Sequence, residues 1–80
     1  MENPKGTASS PASRAVFGRR LRELRERAGL TQTATAAQAG LNRSFYAGVE
    51  AGRTSIAVDR LPGLARTLGV EVSQLFNDDE

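Results

Sequence analysis

The chain has 80 residues, of which 39% are hydrophobic, and eleven Lys and Arg against nine Asp and Glu give it a formal charge of +2. That length allows one domain, burying only about 60–65% of the surface its unfolded chain exposes. The absence of cysteine excludes disulfides and thiolate metal sites as staples, and the absence of histidine as well removes the two residues on which acid–base and thiol chemistry near neutral pH most depend.

An enzyme is therefore not expected, and no catalytic residue, metal ligand, cofactor or small-molecule ligand is assigned. The chain carries no G-x-S-x-G, P-loop or G-x-G-x-x-G pattern. No apolar run is long enough to span a bilayer, and the first twelve residues lack the apolar stretch of a signal peptide, so no membrane partner and a cytoplasmic location are expected. The charge is unevenly spread. Between Arg14 and Arg66 stand ten Arg against Glu23, Glu26, Glu50 and Asp59, a local balance of +6. Arginine suits bidentate contact with phosphate and guanine. A coding sequence rich in G and C produces the same excess, and the two explanations share it.

Residues 1–12 are expected to form a disordered arm, because MENPKGTAS is polar, small and proline-bearing. Lys5 is its one basic residue. Ser10-Pro11 or Ser13 can open a first helix over about 13–28, since serine caps free amides and proline tolerates the first turn. Phe17, Leu21, Leu24 and Ala28 share one face at spacings of four, three and four. Glu23 with Arg27 and Arg22 with Glu26 are i, i+4 pairs on the solvated side, worth a few tenths of a kcal/mol each. Arg14 and Arg20 have no such obvious acid partner. Gly29 closes the helix with a left-handed cap.

Thr31 caps a second helix over about 32–39, and the three threonines Thr31, Thr33 and Thr35, of low helix propensity, predict a short or frayed element. Gly40 breaks the run and Asn42 caps a third helix over about 43–50. Its outward face is Arg43, Ser44, Ala47 and Gly48, whereas Tyr46 and Val49 point to the core. Leu61, Leu64, Ala65 and Leu68 repeat at three and four along a fourth helix over about 59–68. With Asp59 as its cap, Pro62 sits in the first turn and costs no hydrogen bond. Val70, Val72, Leu75 and Phe76 predict a last short helix over about 72–77, before an acidic tail at 78–80.

The stretch TQTATAAQAGLNRSFYAGVEAG, Thr31 to Gly52, places Gln32, Ala36, Gly40, Tyr46 and Val49 where a helix-turn-helix needs them. Ala36 is small where a second helix crosses above it, and Gly40 takes the sharp turn. The pattern resembles the Cro/Xre-type, phage-repressor-like helix-turn-helix DNA-binding domains and, more narrowly, the controller proteins of restriction-modification systems. FGRRLRELRERAGLTQ before the motif and LPGLARTLGVEVSQLF after it extend the resemblance from about Phe17 to Phe76. It implies an all-α, five-helix repressor-like bundle, residues 13–77 forming a DNA-binding domain with a C-terminal dimerisation helix.

The resemblance also implies roles. Its third helix is the recognition helix, so Arg43, Ser44, Phe45 and Ala47 are candidate base contacts. The Arg43 fork matches O6 and N7 of guanine, and Ser44 is short enough to touch base or phosphate. Phe45 meets a thymine methyl or the sugar-phosphate edge, or simply packs. Thr31, Gln32, Asn42 and Arg53 are candidate phosphate contacts, joined by some first-helix Arg. Gly48 lets the helix approach DNA or a neighbouring subunit closely. Glu50 holds an arginine of an earlier helix, with Arg14, Arg19 and Arg20 as candidates, and its role is structural. Val72, Leu75 and Phe76 form a two-fold dimer surface or pack into the same core.

The sequence departs from that family in places. Thr35 stands in a leucine slot and Tyr46 in a Val or Ile slot, which suggests that the phenol fills the missing leucine's space and that its hydroxyl meets Thr35 or nearby backbone. Ala51 replaces a frequent basic residue, removing one phosphate contact. The implied function is a transcription regulator that binds a palindromic double-stranded operator as a homodimer, associated with the nucleoid when bound, and that controls restriction-modification genes. The alternative is a protein-interaction module such as an antitoxin.

Overall fold

The structure is a computed structural model describing residues 10–76. Its helices are α1 (Pro11–Arg27), α2 (Gln32–Ala39), α3 (Arg43–Glu50) and α4 (Leu61–Leu68). Single 3-10 turns lie at Val58–Arg60 and Val72–Leu75, and there is no strand among the described residues. The all-α expectation holds. The count of five helices does not, because the last element is one 3-10 turn rather than a helix over 72–77. The acidic tail and most of the N-terminal arm, with Lys5, fall outside the described residues.

Each of the first three helices begins on a side-chain cap that accepts an amide hydrogen three residues on, one of four that the helix leaves orphaned. Ser10 Oγ accepts from the amide of Ser13 at 3.1 Å, Thr31 Oγ1 from Ala34 at 3.0 Å and Asn42 Oδ1 from Phe45 at 3.0 Å. Pro11 takes the first turn of α1, which therefore opens two residues before position 13. Gly40 closes α2 at φ +73°, and the Leu41 amide reaches back to the Ala36 carbonyl at 2.8 Å. That tight reversal sets α3 across α2.

Around this pair, α1 packs on α3 and on the final turn, while α4 packs on α2. Leu21, Leu24, Ala36, Tyr46, Val49, Leu64 and Leu75 fill the centre. Ala28, placed by periodicity on the apolar face, is instead the exposed C-cap residue of α1. Asp59 does not cap α4. It lies inside the 3-10 turn that leads into the helix, and Pro62 falls in the first turn of α4 without loss of a hydrogen bond.

Leu75 is fully buried in this chain's own core, so it is not available to a second subunit; Val72 and Phe76 of that segment remain exposed. The Phe76 ring lies over Phe17, centroids 5.3 Å apart. Arg20 is also buried, donating from Nε to the Gln74 carbonyl at 3.0 Å, with Glu23 at 3.7 Å. It ties α1 to the final turn.

Two glycines fix how α1 meets α3. A Cβ on Gly18 would stand 2.3 Å from the Glu50 carbonyl oxygen and 2.6 Å from that of Val49. Gly52, at φ +78°, would place its Cβ 3.1 Å from Ala15 Cα. Arg14 Nε adds a hydrogen bond to the Gly52 carbonyl at 3.2 Å. Backbone therefore rests on backbone where the first helix crosses the end of the third.

Candidate nucleic-acid interface

One stripe of α1, Gly18, Arg22 and Arg25, follows the helical repeat toward α3. Since Gly18 touches the end of α3, Arg25 two turns later faces Glu50. Its Nε donates to Glu50 Oε2 at 2.6 Å and its Nη2 to Oε1 at 3.1 Å, a bidentate pair with side chains only 12% and 4% exposed. The earlier-helix arginine is thus Arg25, rather than Arg14, Arg19 or Arg20. Arg25 Nη1 also caps the Leu30 carbonyl at 2.8 Å, so the guanidinium is held on three sides.

The same carboxylate gathers two more donors. Gln32 Nε2 donates to Oε1 at 3.0 Å and the Tyr46 hydroxyl to Oε2 at 2.5 Å. Each oxygen of Glu50 therefore accepts two hydrogen bonds. Burial alone pushes this carboxyl up; hydrogen bonds from Arg25, Tyr46 and Gln32, with the Arg25 charge, outweigh it and hold the group below its ordinary value. Burial, and then donation to a carboxylate, push the Tyr46 phenol up. The hydrogen bond to Glu50 likewise raises Arg25.

The Tyr46 ring is fully buried as expected, but its hydroxyl goes to Glu50 and not to Thr35. Thr35 satisfies itself by donating to the Thr31 carbonyl at 2.9 Å. The Thr31 carbonyl also accepts the Thr35 amide, so the hydroxyl shares an acceptor one turn back, a local solution that leaves the phenol available to the carboxylate.

Above this floor lies a polar basin bordered by Arg22, Thr31, Gln32, Arg43, Ala47 and Ala51. Four of the sequence-assigned residues, Thr31, Gln32, Arg43 and Ala47, thus come together there. Ser44 and Asn42 are exposed at the start of α3 beside it, and Arg53 is exposed on the loop after α3. Phe45 is half-buried and packs against the core. Gly48 is not on the outward face: it is buried beneath the loop, where an added Cβ would meet Thr54 Cγ2 at 3.3 Å, and its carbonyl accepts the Arg53 amide at 2.9 Å. Its lack of a side chain makes room for this chain's own loop.

Sequence reasoning missed Arg22 and Arg25 as basin residues. Arg22 does make its i, i+4 pair with Glu26 at 3.2 Å, but both side chains are more than half exposed, so the pair costs little to break. The available signal was Gly18. A glycine inside a helix of good formers costs about 1 kcal/mol and implies a close approach, which marks the face of α1 turned to α3. No group of three or more His, Cys, Asp or Glu among the described residues is arranged to hold a metal ion.

The helix-turn-helix domain family matches residues 16–75. The chain belongs to this family. Its fold is similar to that of the restriction-modification controller protein C.AhdI from Aeromonas hydrophila, with a TM-score of 0.79 and 42% identity, over 81% of this chain and 98% of that one. In sequence it is 37% identical over 65 residues to control protein C.MunI of a Mycoplasma species, which is 80% of this chain and 88% of that protein. It is 32% identical over 64 residues to the immunity repressor protein of Bacillus phage phi105, of which it covers 44%. In this helix-turn-helix domain, α2 and α3 are the motif helices and the basin lies in front of α3.

Proposed function

We propose that this chain is a DNA-binding transcription regulator that recognises a palindromic operator as a homodimer and controls restriction-modification genes. One observation carries the reading: the exposed start of α3 presents Arg43 and Ser44 beside a basin of arginines whose buried carboxylate is already neutralised. The likeness to C.AhdI over 98% of its length supports the controller assignment. Arg43 and Ser44 read bases from the major groove, with Ala47 and the exposed part of Phe45 contacting them further along the helix. Thr31, Gln32, Asn42 and Arg53 hold phosphates, joined by Arg22.

The work is binding rather than catalysis. The enclosed carboxylate, Glu50, has both oxygens saturated and none left to move a proton. No helix among the described residues is long and apolar enough to cross a membrane, and operator binding puts the protein in the cytoplasm with the nucleoid.

The second subunit covers the apolar groove between the first half of α1 and the segment before α4. There Val16, Val58 and Phe76 are 50%, 76% and 60% exposed, and Phe17, Ile56 and Leu61 line the floor. Val72, 37% exposed, is the other exposed apolar residue of the last segment. A two-fold pairing separates the two α3 helices by about one DNA turn, ~34 Å.

Selection from a random-sequence duplex pool at two salt concentrations, with Arg43→Ala in parallel, tests the reading. The wild type enriches a two-fold symmetric site; Arg43→Ala loses the enrichment but keeps salt-dependent residual binding. A wild type that enriches nothing, and whose weak binding salt abolishes, moves the function to a protein-interaction module such as an antitoxin.

A further inference from the structure

Of the three donors on Glu50, two are the ends of long side chains, Arg25 largely buried and Gln32 partly exposed. Each reaches the carboxylate through several rotatable bonds, and what holds its end is hydrogen bonding rather than packing in the apolar core. Tyr46 differs. Its ring is fully buried among core side chains, it has only two torsions, and it lies one turn before Glu50 on the same helix. The phenol is therefore the fixed point of the cluster. From it the geometry runs to Glu50 Oε2 at 2.5 Å, and from Oε1 to Gln32 Nε2 at 3.0 Å, which ends in the basin beside Arg43 and Arg22.

We propose that Tyr46 is a positioning residue for DNA binding, its hydroxyl locking the Glu50 carboxylate so that Gln32 is presented to a phosphate in a single orientation. This rests on the DNA-binding reading above. One amide hydrogen of Gln32 is committed to Glu50, and the other is left for a phosphate oxygen. The hydroxyl is neutral, so it fixes the carboxylate without adding charge beneath the phosphate, a task a second arginine would perform only at the cost of an uncompensated buried cation. Without the phenol, the carboxylate keeps the Arg25 fork but loses the one donor anchored in the apolar core, and the Gln32 amide is oriented less narrowly.

The test uses Tyr46→Phe, which keeps the ring, together with Gln32→Ala and the double variant, on the site enriched by the wild type. Circular dichroism first establishes that each is folded at the binding temperature. Tyr46→Phe is expected to weaken binding about fivefold, the scale of one net hydrogen bond. The salt slope stays unchanged, because no cation is lost. In the double variant the loss equals that of Gln32→Ala alone, since the phenol acts only through the amide. In the DNA-free protein, the side-chain amide resonances of Gln32 move toward random-coil positions in Tyr46→Phe. Equal affinity of folded Tyr46→Phe and wild type overturns the proposal, as do additive losses or unmoved Gln32 resonances. A wild type that enriches no site is a different outcome: it overturns the DNA-binding reading and this proposal with it.

Discussion

At the scale of single residues, Glu50 has the most to lose. Its carboxylate is 4% exposed and accepts four hydrogen bonds, one pair of them from a guanidinium that is itself largely buried. Glu50→Gln removes the charge and leaves the Arg25 cation enclosed without its counter-ion, a change that costs about 3 kcal/mol when a buried pair is broken from one side. Urea denaturation at pH 7 measures it. The sign of the pH dependence follows from the depressed value of the carboxyl. A group more acidic in the folded chain than in the unfolded one stabilises the fold above its ordinary value of about 4.5, and that contribution disappears as pH falls through the lower folded value. Wild-type stability is expected to fall between about pH 4.5 and the acid limit, and Glu50→Gln to lack that part of the fall. Denaturation midpoints of the two proteins at pH 7, 5 and 3.5 check it.

At the scale of elements, local geometry was legible and facing geometry was not. Ser10, Thr31 and Asn42 could be read as caps because a cap is satisfied within three residues of itself, and Gly29 and Gly40 could be read as stops for a similar reason. The basin residues Thr31, Gln32, Arg43 and Ala47 were named from the resemblance to the helix-turn-helix family. The partner of Glu50 did not, because it depends on the rotation of α1 about its own axis, and that rotation is set by Gly18. The final element was overestimated for another reason: four apolar residues in seven suggest a helix, but the Glu71 and Gln74 capping box closes one turn, and of the four only Leu75 is fully buried, with Val70 partly so.

The element-scale prediction concerns those glycines. Gly18→Ala gains helix propensity of up to ~1 kcal/mol, yet its methyl would lie 2.3 Å from a backbone oxygen that cannot swing away. A net loss of about 2 kcal/mol is expected from the forced separation of α1 and α3. In Gly63→Ala the added methyl meets nothing within 4 Å, so the propensity gain stands alone and stability rises by up to ~1 kcal/mol. Thermal unfolding of the two variants side by side separates crowding from propensity.

At the scale of the whole molecule, the proposed homodimer would cover Val16, Val58 and Phe76, which are open to solvent in the 80-residue chain, and so add to its stability. Its midpoint of thermal unfolding is expected to rise with protein concentration, and sedimentation to give twice the chain mass. Val58→Glu places a charge at the most exposed of these positions; it is expected to yield a folded monomer whose midpoint no longer depends on concentration. Phe17, on the groove, and Gly18, against α3, are neighbours along α1, so one helix thickness separates the proposed pairing surface from α3. Across that thickness the chain offers no cushion, because the contact at Gly18 is with backbone and Arg14 pins Gly52. A dimer closed through the groove is then a stiff caliper whose jaw width is cast in main chain. One base pair inserted between half-sites displaces a jaw's target by ~3.4 Å and ~34° around the duplex, and the tool has no joint with which to follow it.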